Sequence, residues 1–68
     1  MSKDQIRKKI EKNENRFKQL DIARTRATNE GDWDEIQRLS NEQDAIVEEN
    51  QLLFERLGRI EAKERGGI

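Results

Sequence analysis

The sequence predicts an all-α protein: a two-helix antiparallel coiled-coil hairpin that associates into a four-helix bundle. Three observations lead to this prediction. Apolar residues recur at alternating steps of three and four, which is the spacing of a coiled-coil seam. The 68 residues contain no proline, and a single turn signal lies near the middle of the chain. Charged residues make up 43% of the chain, with both signs mixed as on the surface of long helices.

The first helix is predicted over about residues 3–28. Ser2, followed three residues later by Gln5, is typical of a capping box at a helix start. Five of the seven seam positions in this segment are apolar. The series is Ile6, Ile10, Asn13, Phe17, Leu20, Arg24 and Ala27.

The turn is predicted at residues 29–32. Gly31 suits the left-handed conformation that ends many helices. Asp32 is predicted to cap the second helix, with Glu35 as the reciprocal partner of a second capping box. These signals favour a hairpin over one continuous helix.

The second helix is predicted over about residues 33–65, with Gly66 and Gly67 stopping it. Six of its eight seam positions are aliphatic. The series is Ile36, Leu39, Gln43, Ile46, Asn50, Leu53, Leu57 and Ile60. Residues 1–68 thus form one hairpin domain.

Folding the chain back at Gly31 makes the residue numbers of facing positions add up to about 63. Asn13 then lies level with Asn50. A polar pair inside a seam costs stability but fixes the register of the helices. The sequence predicts that these two amides bond to each other, and the alternative is that both point partly to water.

A second stripe runs beside the seam of helix 2. Trp33, Ser40, Val47 and Phe54 recur every seven residues, and Leu52 adds apolar area further round. One hairpin does not easily cover both stripes, which predicts a protein partner: a second copy in a homodimer, a foreign protein, or both. The predicted partner-binding residues are Trp33, Val47, Leu52 and Phe54. Alternatively, Trp33 lies over the turn and Phe54 wraps the edge of the seam.

Charge is divided between the two arms. Residues 1–28 carry a net charge of +5 and residues 29–68 a net charge of −6. Attraction between the arms favours antiparallel closure. Helix 1 also carries a basic stripe of the kind that phosphate binding uses. Its residues are Lys3, Arg7, Lys8, Lys9, Lys12, Arg16, Lys18, Arg24 and Arg26. Small RNA-binding hairpins of the repressor-of-primer type share this architecture. With an overall pI near 5.5, we favour charge balance within the hairpin over nucleic-acid binding.

The inventory of side chains argues against an enzyme. The chain has no His, Cys or Tyr, so no nucleophile has an imidazole base beside it and no thiolate or imidazole is available to a metal. We therefore predict no catalytic residue, no metal, no cofactor and no small-molecule substrate. No apolar run approaches the length that spans a bilayer, and the N-terminal residues lack a signal-like stretch. We expect no membrane association and a cytoplasmic location.

One segment near the start of helix 2 carries a motif. Residues 40–44 read Ser-Asn-Glu-Gln-Asp, which resembles the Ser-Gln-Glu-Leu-Asp motif of the small sporulation aspartyl-phosphate phosphatases. The resemblance covers about nine residues and implies a two-helix hairpin that removes phosphate from a response regulator. Ser40, Glu42 and Asp44 match, Asn41 is conservative, and Gln43 replaces a core leucine of the family. The resemblance implies that Ser40 and Asp44 face the regulator and help to position water. The alternative is that they are ordinary polar surface residues.

These observations favour a non-enzymatic regulatory or adaptor protein that presents a helical face to a protein partner. Three other interpretations stay open. They are the phosphatase-like regulator, an RNA-binding dimeric hairpin, and a structural or assembly component.

Overall fold

The computed structural model describes residues 2–66, which form two α-helices joined by a tight turn. α1 spans Lys3–Glu30 and α2 spans Trp33–Glu64. The helices pack side by side in a rod of 55 × 15 × 14 Å. The predicted all-α helical hairpin is confirmed.

The N-terminus of α1 is closed by the predicted capping box. The Ser2 hydroxyl accepts a hydrogen bond from the backbone N–H of Gln5 at 3.2 Å. In return, Gln5 Oε1 accepts from the backbone N–H of Ser2 at 2.9 Å. Two of the N–H groups that a helix start leaves without intrahelical acceptors are thereby satisfied.

The turn is shorter than predicted, because α1 continues for two more residues to Glu30. Gly31 has φ 70° and ψ 24°, the left-handed conformation that a glycine adopts without steric cost. Its N–H donates to the Thr28 carbonyl at 3.1 Å, and the N–H of Asp32 donates to the Ala27 carbonyl at 2.9 Å. This pair of bonds is a Schellman motif, which satisfies the last carbonyls of α1 and reverses the chain at once.

The start of α2 differs from the prediction in one respect. Asp32 is the N-cap, and its Oδ1 accepts from the backbone N–H of Glu35 at 3.2 Å. The reciprocal half of the predicted capping box is wrong, because the Glu35 carboxylate accepts instead from both Nε and Nη2 of Arg38. A two-pronged guanidinium–carboxylate contact is stronger than one bond to a neutral N–H. The hydrogen bond from Arg38 lowers the pKa of Glu35.

The end of α2 lies one residue before the predicted position. The helix ends at Glu64, and the N–H of Arg65 donates to the Glu61 carbonyl at 3.0 Å. Gly66 follows in a turn. Gly67, predicted to stop the helix together with Gly66, lies outside the described residues.

The core consists of two apolar clusters on the predicted seam. The cluster far from the turn contains Ile6, Ile10 and Leu53, with Leu57 and Ile60 packed against them. The cluster near the turn contains Leu20, Ala27 and Leu39, with Ala23, Ile36 and Ile46 packed against them. Polar side chains separate the two clusters.

Candidate protein-binding face

Asn13 and Asn50 meet in the layer between the two clusters. Asn13 Nδ2 donates to Asn50 Oδ1 at 2.8 Å and to Glu49 Oε1 at 2.7 Å. The predicted alignment therefore brings the two amides into contact, but Asn13 donates both bonds and the second acceptor is a carboxylate. The hydrogen bond from Asn13 lowers the pKa of Glu49, and the charge of Lys9 acts in the same direction.

Gln43 forms a second polar layer that the sequence did not predict. Only 3% of this residue is exposed. Its Oε1 accepts from Arg24 Nη1 at 2.7 Å, and its Nε2 donates to the Phe17 carbonyl at 3.2 Å. Long side chains on a helix point back toward its N-terminus, which lets Arg24 reach one turn back to the level of Gln43. Both residues occupy seam positions, and that was the signal available in the sequence.

Among the described residues, four ion pairs join the two helices, and in each the cation lies on α1 and the carboxylate on α2. They are Lys3–Glu64 at 2.7 Å, Arg7–Glu61 at 3.5 Å, Lys9–Glu49 at 3.6 Å and Arg16–Glu42 at 2.9 Å. The basic α1 and the acidic α2 therefore attract each other through direct ion pairs. Exposed pairs contribute about 0–1 kcal/mol each, so they favour the pairing of the arms without replacing the core.

One flank of the seam is covered by two of these pairs. Positions 42 and 49 of α2 lie seven residues apart on the same side of the seam. Arg16 contacts Glu42 there, and Lys9 contacts Glu49, which also accepts from Asn13. We call this side the ion-paired flank. Its charged groups already have partners within the hairpin.

The other flank of the seam holds an open groove of about 480 Å³. Its lining residues come from both helices and are Glu14, Phe17, Lys18, Ile46, Val47, Asn50, Gln51 and Phe54. Val47 is 51% exposed and Phe54 53% exposed, although both are apolar. Phe17 is half-buried at the base. We call this site the apolar groove.

The four predicted partner-binding residues do not form one patch. Val47 and Phe54 line the apolar groove, whereas Trp33 and Leu52 do not. Trp33 is 72% exposed at the first position of α2, beside the turn. Leu52 is 67% exposed, but it lies two residues from Phe54 and so points to a different side of the helix. Ile22 is also exposed on α1, and no periodic pattern marked it.

The residues of the phosphatase-like motif differ in their surroundings. Ser40 is half-buried, Glu42 pairs with Arg16, and Asp44 is exposed. Asn41 accepts a hydrogen bond from Gln37 on the outer surface of α2. Gln43, where the family has leucine, is buried in the seam. Ser40 and Asp44 lie one turn apart and precede Val47 on the same side of α2.

The basic stripe of α1 is partly neutralised. Lys3, Arg7, Lys9 and Arg16 all pair with carboxylates of α2. The cations that make no ion pair within residues 2–66 are Lys8, Lys12, Lys18 and Arg26. The surface left for phosphate contacts is therefore smaller than the sequence indicates.

Three further observations limit the functions that can be proposed. Neither α1 nor α2 is long and apolar enough to cross a membrane. Across residues 2–66, no three His, Cys, Asp or Glu side chains are arranged to hold a metal ion. Comparison of the chain with models of protein families, with curated proteins and with solved structures gives no match. A functional proposal therefore rests on the surface of the hairpin itself.

Proposed function

We propose that this protein is a non-enzymatic regulatory or adaptor module that binds another protein chain along the apolar groove. One observation carries the proposal: apolar side chains of α2 stay exposed on one flank of the seam, beside the half-buried Phe17 of α1, while the Lys9–Glu49 and Arg16–Glu42 ion pairs cover the other flank. Val47 and Phe54 leave about half of their surfaces in water. Burial of apolar surface is favourable by roughly 25 cal/mol for each Å² removed from water, so covering this flank with a partner lowers the free energy.

The shape of the site fits a helix. The groove runs along the line where α1 and α2 meet, with Phe17 and Ile46 at its base and Val47 and Phe54 on one wall. An amphipathic helix places apolar residues at steps of three and four along such a groove. Glu14, Lys18 and Gln51 line the same groove, so a partner meets polar groups there beside the apolar base.

Photocrosslinking tests this proposal. A photoreactive phenylalanine analogue is placed at Phe54, and irradiation is carried out in cells that make the protein. The matched control carries the same probe at Leu52, which is more exposed than Phe54 but does not line the groove. We expect a discrete protein adduct from position 54 and none from position 52. Equal yields from both positions, or no adduct from position 54, would refute the proposal.

A phosphatase-like regulator is the second candidate, and one observation favours it. Asp44 is exposed and makes no ion pair or hydrogen bond within residues 2–66, one turn from Ser40 and on the side of α2 that leads into the apolar groove. A regulator docked there meets a free carboxylate next to the apolar contact. In this scheme Asp44 orients a water that attacks phosphorus. The aspartyl carboxylate is regained and inorganic phosphate leaves.

The test of this second candidate is phosphate release from a response regulator phosphorylated on aspartate. We expect Asp44→Ala to abolish any acceleration by the chain while helix content stays unchanged. Glu48→Gln, an exposed change one turn further along α2, serves as the control. Acceleration that survives Asp44→Ala would remove this candidate, as would its absence in the unmodified chain.

A further inference from the structure

We propose that the occupant of the apolar groove is a second copy of this chain, related to the first by a two-fold axis at the middle of the hairpin. This inference rests on the proposed function and names the partner for the same face. The axis runs across the helices and parallel to the plane of the hairpin. Each α1 then lies on the α1 of the other copy, each α2 lies on the other α2, and facing helices run in opposite directions.

The groove has the position that such an axis requires. Facing positions of α1 and α2 have residue numbers that add up to about 63, as Asn13 and Asn50 do. Phe17 and Ile46 at the base of the groove therefore lie near the midpoint between the turn and the open end. A partner centred there overlaps the whole rod with no overhang. Two-fold contacts are self-complementary, so the same residues serve both copies.

Charges beside the groove are complementary under this axis. Glu14 and Lys18 lie one turn apart on α1, line the groove, and make no ion pair within residues 2–66. An axis level with Arg16 places Glu14 of each copy next to Lys18 of the other. Two identical ion pairs result, and both close over the apolar contact.

Side-chain sizes on α2 are complementary under the same axis. The position on α2 that faces Arg16 is residue 47, so Val47 of one copy meets Val47 of the other. The same axis places the residue seven positions after Val47 opposite the residue seven positions before it in the other copy. The large Phe54 of each copy therefore lies over the small Ser40 of the other. Facing positions that combine a large and a small side chain interdigitate well. Two independent features, one on each helix, thus agree on one axis.

The available area is sufficient for a specific dimer. A face of the rod measures 55 by 15 Å, which offers roughly 800 Å², about the area that each partner buries in an interface of standard size. The ion-paired flank remains outside this contact and keeps its charges in water. The arrangement is a four-helix bundle with the seam of each hairpin retained.

A charge-swap cycle followed by sedimentation equilibrium tests the arrangement. The proteins compared are the unmodified chain, Glu14→Lys, Lys18→Glu and the double variant, each checked for helix content. We expect the unmodified chain to dimerise. Each single change places like charges opposite one another twice in the dimer and weakens dimerisation by roughly tenfold. The double variant restores opposite charges and regains the original affinity.

Two results would overturn the inference. One is a monomer at every concentration of the unmodified chain. The other is a dimer that does not follow the charge-swap cycle, either because the single changes leave its affinity unchanged or because the double variant does not restore it. Crosslinking from Phe54 separates this failure from failure of the proposed function. A monomer that still crosslinks to a foreign protein retains the interaction module and loses only the second copy. A monomer without any adduct loses both.

Discussion

Arg24 Nη1 on α1 lies 2.7 Å from Oε1 of Gln43 on α2, and the same amide donates to the Phe17 carbonyl. Both ends of a fully buried glutamine are therefore satisfied inside an otherwise apolar cluster. The Nε of Arg24 is buried without an acceptor among the described residues. This layer depends on one side chain, and its removal leaves the Arg24 guanidinium with only the contact of 4.0 Å between its Nη1 and Asp21 Oδ1.

Substitution of Gln43 separates volume from hydrogen bonding. We expect Gln43→Ala to lower the free energy of unfolding by about 1–3 kcal/mol, because it leaves a cavity in addition to removing both hydrogen bonds of Gln43. Gln43→Leu keeps the volume, and the half-exposed Arg24 is free to turn to water, so we expect a loss below about 1 kcal/mol. Urea denaturation followed by circular dichroism measures both. Equal losses in the two variants would show that the hydrogen bonds, not the packing, dominate this layer.

The Asn13–Asn50 layer sets the alignment of the helices. We expect Asn13→Ala to cost about 1–2 kcal/mol, since it removes the donor that Asn50 and Glu49 both use. Replacing both asparagines by leucine removes the polar groups together and raises the denaturation midpoint, but it relaxes the preference for one association state. Sedimentation shows this as a mixture of species. A double leucine variant that is less stable than the single alanine variant would contradict this account.

Gly31 in the turn and Gly58 inside α2 should respond in opposite directions to substitution by alanine. Gly31 has a positive φ, and a Cβ there meets no atom within 4 Å, so Gly31→Ala costs about 1–2 kcal/mol of backbone strain alone. Gly58 lies inside α2 and also has open space around it, so Gly58→Ala stabilises by about 0.5–1 kcal/mol. Thermal unfolding of the two variants measures both effects. A stabilised Gly31→Ala variant would be incompatible with the turn described.

The hydrogen bond from Asn13 to Glu49 makes part of the stability depend on pH. The pKa of Glu49 is lowered from its ordinary value of 4.5, first by Asn13 and then by Lys9. A lowered pKa in the folded state stabilises the fold above the unfolded value, and this contribution is lost as pH falls through the folded value. We expect the unfolding temperature to fall between about pH 5 and pH 3.

Glu49→Gln tests whether Glu49 is the source of this dependence of stability on pH. The amide still accepts from Asn13 but does not titrate, so the variant should lose less stability than the unmodified chain over the same pH range. Glu48→Gln is the control, because Glu48 makes no such hydrogen bond among the described residues. Identical pH profiles for Glu49→Gln and the unmodified chain would assign the acid sensitivity to other carboxylates, such as Glu35.

The hairpin could be predicted because its signals are periodic or local. Alternating steps of three and four place Ile6, Leu20 and Leu53 in the core, and the capping box at Ser2 needs only residues within one turn. The partners of long side chains could not be predicted in this way. Glu35 chooses Arg38 over the backbone of its own cap, and Arg24 reaches Gln43 one turn away, because several rotamers compete for acceptors that only the packed structure brings near.

Part of the apolar groove could also be predicted, because part of it follows a periodic signal. A repeat of seven residues put Val47 and Phe54 in one row, and the structure places both on the groove. Trp33 belongs to the same row but does not line the groove, because it lies beside the turn, beyond the α1 residues that form the opposite wall. Leu52 is apolar without belonging to the row, and hydrophobicity alone did not show which side it faces. The contribution of Glu14, Phe17 and Lys18 required the second helix.

The most direct test of the binding face compares two glutamate substitutions in a chain with the photoreactive residue at Phe54. Val47→Glu places a charge in the apolar groove, and Leu52→Glu places the same charge on a more exposed position outside it. The measured quantity is the yield of the protein adduct, with helix content confirmed for both chains. We predict that Val47→Glu abolishes the adduct and Leu52→Glu leaves it unchanged. Retention of the adduct in Val47→Glu, or an equal loss in both chains, would contradict the assignment of this flank as the binding face.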